Sequence, residues 1–309
     1  MSPLLSVVCI AYNQERFIRQ CLDGILMQET DFAIEILVHD DASSDKTASI
    51  IQEYEVKYPG RMHCIYEKEN QFSKGVRIGA SIMYPMVKGR YVAICEGDDY
   101  WTDPHKLQKQ IEYMESHSDC SFCFHNAIVR WEDGDKPDSV FADMSERDYT
   151  GDELLDHWSA PTASFLFRAD VLKDYACTFR KYRNLVVGDT PMAVFCSQYG
   201  KVHSIPEVMS VYRKHRGGYT GEFDSRKLFL FGLSWEEVRD ALNSHYYGKL
   251  TSIMTGFYIN SFLHALRERN LEIAFKALYR GFLKQPLVGG RAFLKLPMER
   301  RMKSKKSML

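Results

Sequence analysis

Three carboxylates, Glu96, Asp98 and Asp99, fall within four residues. Groups this close repel one another unless a cation joins them, and hard divalent ions such as Mg²⁺ take oxygen ligands and bridge to phosphates. The chemistry they indicate is a metal holding a diphosphate; the plainer reading is a solvated acidic turn. A second acidic pair, Asp40-Asp41, follows another apolar run, where an Asx turn or helix cap would also use it. Asp189 stands ahead of Thr190-Pro191, a good helix N-cap position. Arg213, His215 and Arg216 concentrate positive charge after a further apolar run. Cys120 and Cys123 with His125 form half of a zinc pattern, but no second cysteine pair exists at zinc-finger spacing and the segment alternates like a strand.

The flanking sequence says what must position these groups. Residues 91–95 read as a short buried strand, and Gly97 lets the chain turn after it. Asp103-Pro104 is expected to open a helix whose Leu107, Ile111 and Met114 form one apolar stripe. Upstream, residues 5–11, 34–38 and 62–66 read as strands. Helical spacing covers 17–26, then the stretch containing Ile50, Ile51 and Tyr54, then 73–87. This alternation predicts an α/β fold with a mostly parallel sheet flanked by helices. The first, second and fourth strands end in Tyr12-Asn13, Asp40-Asp41 and the Glu96–Asp99 turn. Open α/β sheets bind ligands along that carboxyl edge.

Past residue 118 the pattern loosens. Strands are expected at 120–129, 162–167 and 201–205, a polar loop at 133–147, and a helix at 188–200. From about 224 the chain reads as helices at 229–242, 245–269 and 271–283. A tail follows in which residues 295–306 carry six Lys/Arg against one acidic residue, Glu299. The expected division is 1–220 for the α/β domain and 221–309 for a helical C-terminal extension.

With 309 residues and a formal net charge of −1, the chain does not look like a dedicated nucleic-acid binder. No apolar run reaches the ~18 residues of a membrane span, and no secretory signal pattern opens the sequence. The eight cysteines then read as reduced core residues of a cytoplasmic protein.

Taken in order, Ser6-Val7-Val8-Cys9-Ile10-Ala11-Tyr12-Asn13, His39-Asp40-Asp41-Ala42-Ser43-Ser44-Asp45-Lys46-Thr47, Glu96-Gly97-Asp98-Asp99-Tyr100-Trp101, Gly188-Asp189-Thr190-Pro191 and Met209-Ser210-Val211-Tyr212-Arg213-Lys214-His215 resemble the bacterial family-2 glycosyltransferases of the GT-A fold. The resemblance spans about residues 4 to 218. It implies a metal-dependent, inverting transfer of one sugar from a nucleotide-sugar, with UDP-sugar the expected donor. The acceptor it implies is a hydroxyl of a glycan or lipid-linked glycan in cell-surface polysaccharide synthesis. Ala11, Tyr12 and Asn13 would line the nucleoside pocket and Asp40 would accept from the base. Asp99, Asp98 and Glu96 would hold Mg²⁺ or Mn²⁺, with His215 a further ligand, and Asp98 would also lie close to the ribose. Arg213, Lys74 and Arg77 would meet the diphosphate, and Asp189 would be the catalytic base.

Glu96-Gly97 stands where many relatives have Asp-Ser, and Asp189 lacks the acidic neighbour common in the family. The Gln-x-x-Arg-Trp pattern of processive synthases is absent, since Ala127 precedes Arg130-Trp131 by three. A non-catalytic subunit that binds nucleotide-sugar is the alternative. A nucleotidyltransferase or dinucleotide oxidoreductase would need glycines after the first strand that are not there. The basic tail suits peripheral contact with the inner face of the cytoplasmic membrane, and the C-terminal helices could pair two copies.

Overall fold

The computed structural model describes residues 2–134, 136–157, 160–186, 188–215, 218 and 223–283. They form two compact units. The first comprises Met1–Arg183 and Asp189–Thr220, the second Asn184–Gly188 and Gly221–Leu309.

The first unit begins with β1 (Leu5–Ala11), a run buried on both faces of the sheet. Helix α1 (Ile18–Leu26) buries Ile18, Cys21, Leu22 and Ile25 at helical spacing. Then follow β2 (Ile34–Asp40), α2 (Thr47–Lys57) and β3 (Met62–Tyr66). The helix expected over 73–87 is broken instead. A 3₁₀ turn at Phe72–Lys74 ends at Gly75 in the left-handed region, φ 80°. A π turn at Gly79–Met83 runs into the single α turn α3 (Tyr84–Met86). Pro85 has no N–H to return to the turn before it, which favours the widened turn.

Strand β4 (Tyr91–Ile94) leads through the acidic turn to β5 (Tyr100–Trp101). Helix α4 (Lys106–Ser116) starts two residues later than expected. Asp103 spends its Oδ1 on the His105 N–H at 2.8 Å, closing a turn ahead of the helix. Next come β6 (Cys120–Trp131), β7 (Ser139–Val140), β8 (Arg147–Tyr149), α5 (Gly151–Asp156), β9 (Leu166–Arg168) and α6 (Ala169–Phe179). The unit ends with α7 (Asp189–Cys196) and β10 (Lys201–Lys214). β10 is far longer than the expected 201–205, because its second half pairs with β5 and with the end of β6.

The sheet order is β3-β2-β1-β4-β9-β6-β10-β5, with β7 on β6 and β8 on β10. β3, β2, β1 and β4 are all parallel. Chain order reverses at β1, whose neighbours are β2 on one side and β4 on the other, and that reversal is the topological switch point. Alternate residues Leu5, Val7, Cys9 and Ala11 pack with Ile18, Leu22, Ile25, Ile51 and Trp101 in one core. The second unit holds α8 (Ser225–Ala241), α9 (Tyr247–Arg267) and α10 (Leu271–Leu278), the last extended by a π turn over Tyr279–Leu283. Gly232 lets α8 approach α9, since a Cβ there would lie 2.5 Å from the Tyr258 ring.

Candidate active site at the switch point

The carboxyl end of β1 is the axis of the site. Its Ala11 carbonyl accepts the Asp41 N–H at 3.0 Å, and its Ile10 carbonyl accepts the Gly97 N–H at 3.1 Å. Both acidic groups seen in the sequence are thus fastened to adjacent residues of one strand. Asn13 and Ala42 take left-handed φ values of 52° and 59°. For Ala42 that costs about 1–2 kcal/mol, strain of a kind that collects at functional sites. Asn13 tolerates it and bridges the two loops. Its side-chain oxygen accepts the Ser44 N–H at 2.8 Å, and its own N–H donates to Ser43 Oγ at 2.9 Å. Tyr12 is half exposed beside it.

Asp40 and Asp41 divide the labour between them. Asp41 accepts the Gln71 and Phe72 N–H groups at 2.7 and 3.1 Å and is a structural tie. Asp40 is buried, accepts the Ser43 N–H through Oδ2 at 3.1 Å, and leaves Oδ1 with no hydrogen-bond partner. A buried oxygen with no donor is costly, so this atom is suited to accept from a ligand.

The acidic turn shows the same pattern. Asp99 is buried, and its Oδ1 accepts the Arg213 N–H at 2.8 Å while Oδ2 has no partner. Burial raises the Asp99 carboxyl well above its ordinary value, and the Asp98 and Glu96 charges raise it further, against the pull of Arg213. Glu96 is raised to about 8 by the surrounding protein, then by Asp98 and Asp189. Solvent reaches Glu96, which tempers the effect of enclosure, so the repulsion from Asp98 and Asp189 is the sturdier cause. Asp98 lies 3.1 Å from His215 Nε2, and the His215 ring packs on Phe17 with centroids 4.7 Å apart.

The remaining expected residues differ in what they can do. Arg213 does not stand open to a diphosphate: its side chain is 3% exposed. Nε donates to Glu132 at 2.7 Å, Nη1 to the Asp98 carbonyl at 2.6 Å, and Nη2 to Gln20. Its guanidinium lies 4.3 Å from the Tyr100 ring centroid. It therefore clamps the acidic turn from behind. Lys74 is exposed and pairs with Glu69; Arg77 donates through Nε to the Tyr182 carbonyl at 3.2 Å and through Nη2 to that of Arg183. Neither joins the acidic turn in these bonds. Asp189 is the first residue of α7, and its Oδ1 accepts the Thr190 N–H at 2.8 Å. Arg216 and the tail 295–306 lie outside the described residues.

Some participants were not visible in the sequence. Tyr84 is buried, and its phenol is pushed up by burial and then by the Glu96 charge. Lys106 is fully buried behind the turn, its Nζ 4.1 Å from the Trp101 ring centroid. The zinc half-motif does not assemble: Cys120 and Cys123 are buried in β6 with the parity of opposite faces, and among the described residues no group of three ligating side chains forms a ready metal cage. The acidic turn still fits a divalent ion: Asp99 Oδ2 is buried without a hydrogen-bond partner, and the Asp98 charge raises both the Glu96 and the Asp99 carboxyls. Mg²⁺-type sites use one or two carboxylates plus substrate phosphates rather than a protein cage.

The mixed α/β sheet, with two acidic loops bonded to adjacent residues at the end of β1, has the GT-A fold of nucleotide-sugar transferases. The structure of a mannosyltransferase from Pyrobaculum calidifontis, PcManGT, superposes with a TM-score of 0.59 over 99% of this chain and 84% of its own, at 15% identity, and so shares the fold. The glycosyl transferase family 2 model matches residues 6–176, and the chain belongs to that family. An uncharacterized protein of Mycobacterium tuberculosis is 38% identical over 228 residues, 73% of this chain and 63% of that protein. This chain thus spans less than two thirds of that relative's length. The Escherichia coli UDP-Glc:α-D-GlcNAc-diphosphoundecaprenol β-1,3-glucosyltransferase WfaP is 34% identical over 113 residues, 37% of this chain and 42% of its own. Among the described residues no helix is long and apolar enough to cross a membrane.

Proposed function

We propose that the protein transfers a single sugar, with inversion, from a UDP-sugar to a hydroxyl of a glycan or lipid-linked glycan. The observation that carries this reading is the pair of buried, unpartnered carboxylate oxygens, Asp40 Oδ1 and Asp99 Oδ2, on either side of the end of β1. One suits a ring N–H of uracil, and a base lacking that donor would leave the carboxylate unpaired. The other belongs to the set, with Asp98, Glu96 and His215, that would hold Mg²⁺ or Mn²⁺. When bound, the cation supplies Lewis-acid neutralisation of the departing diphosphate.

Ala11, Tyr12 and Asn13 border the nucleoside. Asp189 takes the proton of the acceptor hydroxyl as its oxygen attacks the anomeric carbon opposite the diphosphate. The bond from that carbon to the diphosphate breaks, and the nucleoside diphosphate leaves with the bonding electrons. The donor and lipid-diphosphate acceptor in the name of WfaP support the substrate class.

Binding stabilises by mass action. The full chain is therefore screened by thermal shift against UDP-, dTDP- and GDP-sugars with and without Mn²⁺, and UDP release is followed with glycan and lipid-linked acceptors. UDP-sugar with Mn²⁺ gives the largest shift. Asp189→Asn keeps the shift and loses turnover by at least about a hundredfold. Turnover by that variant at the parent rate removes Asp189 as base, and a GDP-sugar preference removes the assignment of uracil.

A further inference from the structure

The five residues ahead of Asp189 do not group with the elements on either side of them in the chain. Asn184–Gly188 belongs to the second unit, whereas α6 before it and α7 after it belong to the first. What holds this connector in the second unit is α8. Glu237 accepts the Asn184 N–H on both carboxylate oxygens, at 3.1 and 2.9 Å, and Asn184 Nδ2 donates to its Oε1 at 2.8 Å. Ser234, nearly one turn earlier on the same helix face, accepts the Val186 N–H through Oγ at 3.1 Å. As the connector advances from 184 to 186 its partners step back from 237 to 234, so it runs antiparallel to α8. Leu185, between the two bonded residues, is buried.

A surface connector can leave its amides to water, so a half-buried carboxylate given wholly to one residue is more than chain connection requires. Just upstream, Arg77 takes the Tyr182 and Arg183 carbonyls. The backbone is thus tied at 182, 183, 184 and 186, shortly before the residue read as the base. A base must stand close to the hydroxyl whose proton it takes, and a misplacement of about 1 Å can cost on the order of a hundredfold in rate.

We infer that Glu237, assisted by Ser234, is a positioning residue for Asp189, acting through the connector on where the base stands. The inference rests on the reading of Asp189 as base. Hydrogen exchange and kinetics on the full chain test it. In Glu237→Ala the amides of residues 184–192 exchange about tenfold or more faster than in the parent, while those of β1 and β4 keep their rates. UDP release is followed with Mn²⁺ from UDP-glucose, UDP-galactose and UDP-N-acetylglucosamine, with water or an N-acetylglucosaminyl-diphospholipid as acceptor. Glu237→Ala lowers kcat about tenfold or more and leaves the donor KM unchanged. Glu237→Gln keeps a carbonyl oxygen for the Asn184 N–H and recovers most of the loss. In the Asp189→Asn background Glu237→Ala costs no further turnover, because a residue that works through the base has nothing left to position. Asn184→Ala deletes the Nδ2 bond from the other side, shows the same split between kcat and KM, and serves if Glu237→Ala does not fold.

Unchanged exchange over 184–192, parent kcat in Glu237→Ala, or equal losses in the parent and Asp189→Asn backgrounds each overturn the inference. Turnover of Asp189→Asn at the parent rate removes the base itself and the positioning role with it. An impaired Asp189→Asn beside a fully active Glu237→Ala removes the positioning role alone.

Discussion

Lys106 offers the sharpest test of how the acidic turn is supported. It is the first residue of α4 and wholly buried, with Nζ donating to Gln110 Oε1 at 2.7 Å and lying over the Trp101 ring. Burial lowers its ammonium from the ordinary 10.5 to about 7, while the Cys95 and Cys123 thiols pull only weakly the other way. Between those two values the unfolded chain binds a proton that the folded chain does not, so stability rises with pH across the window. Below about 7 both states are charged, and the slope from this residue vanishes.

Each pH unit inside the window is worth about 1.4 kcal/mol, giving a ceiling near 5 kcal/mol for the whole interval and about 2.5 kcal/mol between roughly pH 7.5 and 9.5. Lys106→Met removes the titration. It also strands Gln110 Oε1, a cost of about 1–3 kcal/mol that does not vary with pH. Urea unfolding of both proteins across that range gives the difference in unfolding free energy as a function of pH. The parent should gain about 2.5 kcal/mol on the variant from the acid end to the alkaline end. Parallel curves would show that Lys106 is charged and compensated in the folded protein, and the account of its burial would fail.

Arg213→Met leaves Glu132 unpaired and frees the Asp98 carbonyl and Gln20, while the backbone N–H of residue 213 still reaches Asp99; loss of about 3 kcal/mol and roughly 6–12 °C in melting temperature is expected. Arg213→Lys should not restore it, because a point charge cannot span Glu132, Gln20 and the Asp98 carbonyl together; an unchanged melt in either variant refutes the clamp. Asp40→Asn keeps an oxygen for the Ser43 N–H and so keeps the fold, while UDP affinity by calorimetry drops about 10–100-fold. A variant binding UDP as the parent does shows that Asp40 does not read the base.

The strands that converge on the site were legible because they are local facts. The first, second and fourth are short buried apolar runs, and their polar ends follow within a few residues in the chain. What sequence could not convey was the fate of a charge once the sheet closed. Arg213 and Lys106 look in sequence like solvent-facing or phosphate-facing cations. One is made a clamp by the pairing of Val211 with Tyr100 and Ser210 with Trp101, strands that lie far apart in the chain. The other is buried by the close approach of α1 to that same two-residue strand, where a Cβ on Gly24 would lie 2.8 Å from the Trp101 carbonyl. No periodicity announces a two-residue strand, since its existence depends on a partner from the far end of the domain. Asp40 and Asp41 are alike for the same reason until loop 70–72 arrives to occupy one and not the other. Sequence finds the carboxylates; only tertiary contact decides which of their oxygens is left for a ligand, and on that remainder the chemistry of this site rests.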